Sequence, residues 1–153
     1  MILTRQAGEM DYPAVLKVQK KAFAEIAKLY KRNSIAPLNQ TLDELTEECR
    51  QGICLVAETG KVIVGSVRAV IRDGNAEINR LVVLPEFQNQ GAGKALMHRI
   101  EAILRQQVET ATLYTDKNDE RNVNFYRALG YEVFAEKLDN NGPSFVYLKK
   151  QIR

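Results

Sequence analysis

The residues with the clearest chemical content are Gln88, Gly91, Gly93 and Lys94, in the run Gln88-Asn89-Gln90-Gly91-Ala92-Gly93-Lys94. The apolar stretch Leu81-Val82-Val83-Leu84-Pro85 leads into this run, and an amphipathic pattern beginning at Ala95-Leu96 leads out of it. Glycines at the mouth of a helix remove side chains where a ligand approaches the main chain. The unpaired N–H groups of the first turn, backed by the positive end of the helix dipole, then face an anion. The chemistry implied is the holding of a pyrophosphate. The alternative is a structural turn whose glycines serve close packing. Two common cradles do not fit the spacing. A Walker loop needs a glycine where this chain has Gln88 and a hydroxyl where it has Ala95, and a dinucleotide fingerprint needs a third glycine where it has Leu96.

Other chemistries have little to draw on. Cys49, Cys54 and the single histidine, His98, are too few soft ligands for a usual zinc site, so no metal is expected. Cys54 lies in the apolar run Ile53-Cys54-Leu55-Val56-Ala57 and reads as a small buried hydrophobe, whereas Cys49 belongs to a charged helix. His98 falls outside the apolar stripe of its own helix, so no Cys–His nucleophile is indicated.

The pattern Gln-x-x-Gly-x-Gly at residues 88–93, with its preceding strand and proline and its following helix, resembles the acetyl-CoA-binding motif of the GNAT superfamily of N-acetyltransferases. A second segment, Asp119-Glu120-Arg121-Asn122-Val123-Asn124-Phe125-Tyr126-Arg127-Ala128-Leu129-Gly130-Tyr131, is similar to that family's Asn-x-x-Ala-x-x-Phe-Tyr-x-x-x-Gly-Phe helix. It departs from the family at Asp119, where Asn is usual, and at Asn122, where Ala is frequent. Asp119 still suits an N-cap and Gly130 a C′ position.

The elements that must position these residues can be read from periodicity. Ile2–Gln6 is a first strand, and Asp11 caps a helix that carries Val15, Val18 and Ala22 on one face, with Phe23 and Ile26 extending it. Residues 33–39 read as a loop. Thr41 and Glu44 form a capping box for a second helix ending near Gly52. Residues 53–58, 62–71 and 76–84 read as an antiparallel meander turning at Thr59-Gly60-Lys61 and Asp73-Gly74-Asn75. A helix marked by Leu96, Ile100, Ile103 and Leu104 follows, then a strand at residues 111–115 parallel to its predecessor, the motif helix, and a final hairpin of residues 131–137 and 145–149 turning around Asn140-Asn141-Gly142-Pro143. This order is that of the GNAT fold. The expectation is an α/β (α+β) domain with a central mixed, mostly antiparallel sheet of six to seven strands, flanked by about four helices and splayed between the fourth and fifth strands.

Length and composition agree. A chain of 153 residues with 45% hydrophobic content is the scale of one domain, so residues 1–153 read as a single GNAT domain. No run of about eighteen apolar residues occurs, and the N-terminus lacks a basic region followed by an apolar stretch, so a cytoplasmic protein without a membrane partner is expected. A net charge of +3 without aromatic-basic interleaving gives no argument for nucleic acid.

The resemblance implies acetyl-CoA as co-substrate, with its pantetheine arm along the main chain of Leu81, Val82 and Val83. It places the pyrophosphate on Gln88, Asn89, Gln90, Gly91, Ala92, Gly93 and Lys94, with Asp119 and Tyr126 nearby. A freed N–H near Leu81 would face the thioester oxygen, onto which attack by an amine pushes negative charge. The amine itself must lose a proton, since an ammonium of pKa about 10.4 is neutral in about one molecule per few thousand at pH 7. Glu77 is the candidate base. It lies four residues before Leu81, and period two places Glu77, Asn79, Leu81 and Val83 on one face. The other reading of Glu77 is a solvated residue after a turn. Tyr126 stands where the family commonly has the acid that protonates the departing thiolate; its other reading is a core aromatic, while Phe125 and Leu129 read as core only.

The acceptor is less defined. In the resembled fold the early helices wall its side, and the first helix is basic at Lys17, Lys20, Lys21, Lys28, Lys31 and Arg32. Such a spread is usually a solvated face. If turned inward, it disfavours a polycation and favours an amine that also carries an anion. The reading is an acetyl-CoA-dependent N-acetyltransferase acting on a small-molecule amine. A protein N-terminus or lysine is the alternative acceptor, a non-catalytic acyl-CoA-binding module is the rival of another class, and family analogy adds a possible homodimer.

Overall fold

The computed structural model describes residues 1–29, 36–138, 142 and 144–153. Lys31, Arg32, residues 33–35 of the expected loop and most of the expected final turn lie outside them. Among the described residues seven strands are present: β1 (Ile2–Gln6), β2 (Ile53–Thr59), β3 (Val62–Arg72), β4 (Asn75–Val83), β5 (Thr110–Asp116), β6 (Glu132–Lys137) and β7 (Phe145–Gln151). The described helices are α1 (Tyr12–Leu29), α2 (Ala36–Asn39), α3 (Leu42–Gln51), α4 (Ala92–Leu104) and α5 (Glu120–Ala128). The strands hydrogen-bond in the order β1-β2-β3-β4-β5-β7-β6. β4 and β5 run parallel, and β1–β2, β2–β3, β5–β7 and β6–β7 run antiparallel. This is the mixed, mostly antiparallel sheet expected. The parallel ladder covers three pairs, from Asn75 with Thr110 to Glu77 with Thr112.

The chain divides into two compact units: Met1–Val70 with Arg80–Ala102, and Ile71–Asn79 with Ile103–Arg153. In the first, Val15 of α1, Leu45 and Cys49 of α3, and Cys54 and Val56 of β2 pack around Tyr12. Cys49 is thus a core residue despite its charged helix. Its thiol is held up by a hydrogen bond with Cys54 and by burial, which leaves no thiolate for chemistry. Thr41 and Glu44 form the expected reciprocal cap, Thr41 Oγ1 accepting from the Glu44 N–H at 3.1 Å and Glu44 Oε1 from the Thr41 N–H at 2.9 Å. Lys17, Lys20, Lys21 and Lys28 are exposed.

Three local expectations are corrected. Asp11 does not cap α1: its carboxylate accepts from Arg5 at 2.7 and 3.0 Å and from the Gly8 N–H at 2.7 Å, closing a short turn before the helix. Residues 36–39 form one helical turn rather than loop, with Pro37 early in it, where a missing N–H costs nothing. Gly52 follows α3 but is not left-handed, with φ −133°. It is required because a Cβ there would overlap the Ala69 carbonyl oxygen of the neighbouring β3.

A polar cluster lies inside the same unit. The Arg68 Nη2 donates to Gln40 Oε1 and pairs with Glu48 Oε2, both at 3.1 Å, and Gln19 Nε2 donates to Gln40 Oε1 at 2.9 Å. Arg68 Nε and Nη1 have no hydrogen-bond partner.

In the second unit, β5 and β7 are buried on one side through Ala111, Leu113, Val146 and Leu148. Helix α5 lies over that side, tied by the Asn122 Nδ2 donating to Thr115 Oγ1 at 2.8 Å. β3 and β4 meet through Asp73-Gly74, with φ of 52° and 76°, the paired left-handed conformation of a tight hairpin.

Candidate active site

The glycine-turn candidates lie in the first unit. Gly65 of β3 lets the main chain of β4 come close: a Cβ there would sit 2.9 Å from the Val82 carbonyl oxygen and 3.3 Å from Leu96 Cδ1. The Leu84 N–H donates to the Val64 carbonyl at 2.8 Å, fixing the end of β4. The chain then makes a single tight turn at Pro85–Phe87 and reaches Asn89 and Gly91, both left-handed, with φ of 64° and 87°. Ala92 is buried and anchors the first turn of α4, with Leu96, Met97 and Ile100 behind it; Lys94 is exposed.

Gly91 occupies the cap position, its carbonyl accepting from the Ala95 N–H at 2.9 Å. The other capped helices use a side chain there: Thr41 serves α3, and Asp119, accepting from the Asn122 N–H at 3.0 Å, serves α5. Gly91 has none to offer, so the N–H groups that open α4 are left for an external acceptor. A Cβ at Gly91 would meet nothing within 4 Å. Donors without a cap, a left-handed glycine and open space in front of it fit a phosphate group. Gln88 has a structural part in this cradle, since its Nε2 donates to the Val83 carbonyl at 3.2 Å.

Arg80, which the sequence does not single out, is left-handed inside β4, with φ 54°. Such a conformation costs a non-glycine residue about 1 kcal/mol or more and is often kept at functional sites. The extended run of β4 is interrupted there, between Glu77 and Leu81, while burial at Ala76, Ile78 and Val82 continues on either side of it.

Glu77 and Tyr126 lie in the second unit. Glu77 pairs with Thr112 in the parallel ladder; its carboxylate is 46% exposed and lies 3.7 Å from Arg72 Nη1. Tyr126 is only 6% exposed, its ring edge-on to Phe125 at 5.2 Å and Tyr131 at 6.0 Å. Burial pushes its phenol well above the usual tyrosine range, the Asp119 charge adds to this, and a hydrogen bond with Asn122 opposes it. The helix ends as expected at left-handed Gly130, φ 101°, with the Tyr131 N–H donating to the Tyr126 carbonyl at 3.1 Å and the Gly130 N–H to that of Arg127 at 3.0 Å. Glu77 and Tyr126 stand on opposite sides of β5, since Glu77 shares a side with Thr112 and α5 covers the side of Thr115. His98 is exposed on α4. No group of three His, Cys, Asp or Glu able to hold a metal occurs among the described residues, and no described helix is long and apolar enough to cross a membrane.

Known proteins share this architecture. The chain is 26% identical over 152 residues to the uncharacterized protein YyaT of Bacillus subtilis, covering 99% of this chain and 97% of that one. The fold matches PaiA N-acetyltransferase from Thermoplasma acidophilum in complex with coenzyme A, with TM-score 0.82 at 20% identity and 99% of each chain covered. It also matches the ribosomal-protein-S18-alanine N-acetyltransferase from Escherichia coli, with TM-score 0.81 at 14% identity over 99% of this chain and 94% of that one. The model of the acetyltransferase (GNAT) family matches residues 23–131, a span that holds the glycine cradle, Glu77 and the Tyr126 helix. The chain therefore belongs to the GNAT family and is an acetyl-CoA-dependent N-acetyltransferase.

Proposed function

We propose that residues 1–153 act as one domain that transfers the acetyl group of acetyl-CoA to the primary amine of a small molecule, by direct attack in a ternary complex. The observation that carries the reading is the cap of α4, where left-handed Gly91 faces open space and offers no side chain to the helix N–H groups. Residues 88–94 would hold the pyrophosphate of CoA, with Lys94 adding charge, and the main chain of residues 81–83 would receive the pantetheine arm. Asp119 and Tyr126 would border the same ligand.

Glu77 would take the proton from the ammonium, directly or through a water. The nitrogen then forms its bond to the acetyl carbon, the carbon–sulfur bond breaks, Tyr126 gives its phenolic proton to the thiolate, and the acylated nitrogen releases its second proton to solvent. Tyr126 carries its proton at neutral pH, as any phenol does, and its burial makes it a weaker acid than an exposed tyrosine. The fold likeness to an S18-alanine N-acetyltransferase supports a second reading, in which the acceptor is a protein N-terminus.

The test joins calorimetry of acetyl-CoA binding with thiol release from a panel of small amines and short peptides. Binding with amine-dependent release upholds the reading. Release with peptides alone moves the acceptor to the second reading. Binding without release from any acceptor replaces the enzyme with a CoA-binding module. Glu77→Gln should lower turnover by roughly a hundredfold while leaving acetyl-CoA affinity within about twofold.

A further inference from the structure

The reading of Glu77 as the group that takes the amine's proton leaves open what the rest of the acceptor touches, and the inference below rests on that reading. Along β5, Ala111, Leu113 and Thr115 are buried, while Thr112, Tyr114 and Asp116 alternate with them on the open side. β7 pairs in register, Lys149 with Thr112, Tyr147 with Tyr114 and Phe145 with Asp116, so these residues share that open side. Glu77 pairs with Thr112 from the other neighbour, and the Asn75 Nδ2 reaches Thr112 Oγ1 at 2.9 Å. The carboxylate of Glu77 therefore stands on this same side.

Four aromatic rings gather there. Tyr114 lies 5.2 Å from Phe145, edge-on at 79°, and 5.6 Å from Tyr147. Phe134, on edge strand β6, lies 6.4 Å from Tyr147. Tyr114 is 47% exposed and Phe134 48%. A contiguous aromatic surface left open across three strands calls for an apolar occupant. At about 3.3 Å per residue, the first ring begins about 7 Å along the strand from the level of Glu77. That is the reach of a short alkyl linker.

Charge orients the occupant. Glu77 favours an ammonium at its own end of the surface. Level with Glu77 but two strands across, Lys149 Nζ lies 5.3 Å above the Phe134 ring, so a second cation placed on that ring would be repelled. Asp116 stands on the same side beyond Tyr114, so the rings rather than charge select the occupant, and an amine that carries a neutral, flat group fits them. The geometry points to a small arylalkylamine as acceptor, its nitrogen at Glu77 and its ring packed edge-to-face against Tyr114 and Tyr147.

Thiol release at saturating acetyl-CoA tests this with 2-phenylethylamine, butylamine, spermidine and a phenylalanyl tripeptide. The expected kcat/KM for 2-phenylethylamine exceeds those for butylamine and spermidine by about tenfold or more, the worth of one well-packed ring. In Tyr114→Ala and Phe134→Ala, both at half-exposed positions, the aryl-to-butyl ratio should fall toward one. A ratio near one in the wild type, or one unchanged in both variants, overturns the inference while the transferase stands. Faster turnover of the tripeptide than of 2-phenylethylamine overturns the choice of a small acceptor. Should no amine release thiol, the transferase reading fails, and titration of 2-phenylethylamine into the CoA-bound protein decides the rest. Shifts of the aromatic NMR signals that vanish in Tyr114→Ala keep the ring surface; no shift removes it.

Discussion

Gly91→Ala separates ligand binding from folding, because the chain contains its own control. Gly91 and Gly60 are both left-handed, with φ of 87° and 62°, and at neither would a Cβ meet any atom within 4 Å. Alanine at either position therefore adds the same backbone strain, about 1–2 kcal/mol, with no clash. For a chain of this size that corresponds to a fall in Tm of roughly 2–8 °C, similar in the two variants. Binding should differ. At Gly91 the new methyl group occupies the space in front of the opening N–H groups of α4. Losing one charge-assisted main-chain contact, about 1.5–3 kcal/mol, raises the Kd for acetyl-CoA by roughly ten- to a hundredfold. Gly60 lies in the β2–β3 turn, and its variant should bind as the wild type does. Calorimetry on both, beside thermal unfolding, gives the answer. Equal affinity in the two variants, at equal loss of Tm, would refute the cradle.

Tyr126→Phe should lower kcat by roughly a hundredfold with acetyl-CoA affinity retained, as measured by thiol release and calorimetry. Because the folded phenol is raised above its unfolded value, its contribution to stability is full below pH about 10 and fades as pH rises further; the variant should show a shallower alkaline decline in urea unfolding. Asp11 has the opposite sign. Hydrogen bonds from Arg5 chiefly, helped by the Gly8 N–H, hold its carboxyl below the usual range, so Asp11→Asn should lose about 1 kcal/mol at pH 7 and converge on the wild type as pH falls below about 4. Gly52→Ala, whose methyl group overlaps the Ala69 carbonyl oxygen, should cost about 3 kcal/mol in the same unfolding assay. Glu48→Ala strands the buried Arg68 charge and should destabilise more than Arg68→Met, which removes that charge together with two unpartnered nitrogens.

The features legible in the sequence are those whose cause lies within a few residues. The reciprocal cap of Thr41 and Glu44, the Asp73-Gly74 turn, and the Asp119 and Gly130 ends of the Tyr126 helix are short-range hydrogen-bond patterns, and each takes its expected form. The glycine cradle belongs with them. Expectations changed where the deciding partner is distant. Arg5, six positions back, claims the carboxylate expected to cap α1. Ala69 explains Gly52, and Val82 explains Gly65. The left-handed Arg80 inside β4 has no signal in the letters. The aromatic surface emerges only from strand order, since β7 lies between β5 and β6 and brings Tyr147 beside both Tyr114 and Phe134.

The placement of Glu77 and Tyr126 on opposite sides of β5 has a consequence for proton traffic. In the proposed mechanism the proton taken by Glu77 and the proton given by Tyr126 are different protons, handled on opposite sides of β5. Glu77 is half open to solvent, whereas Tyr126 in its proposed role is sealed and must be recharged once per turnover through its own surroundings. Asn122 is its named polar neighbour there, and an amide is a poor relay. Recharging of Tyr126 then competes with chemistry for control of the cycle, and kcat should carry a normal solvent deuterium isotope effect that kcat/KM for the amine lacks.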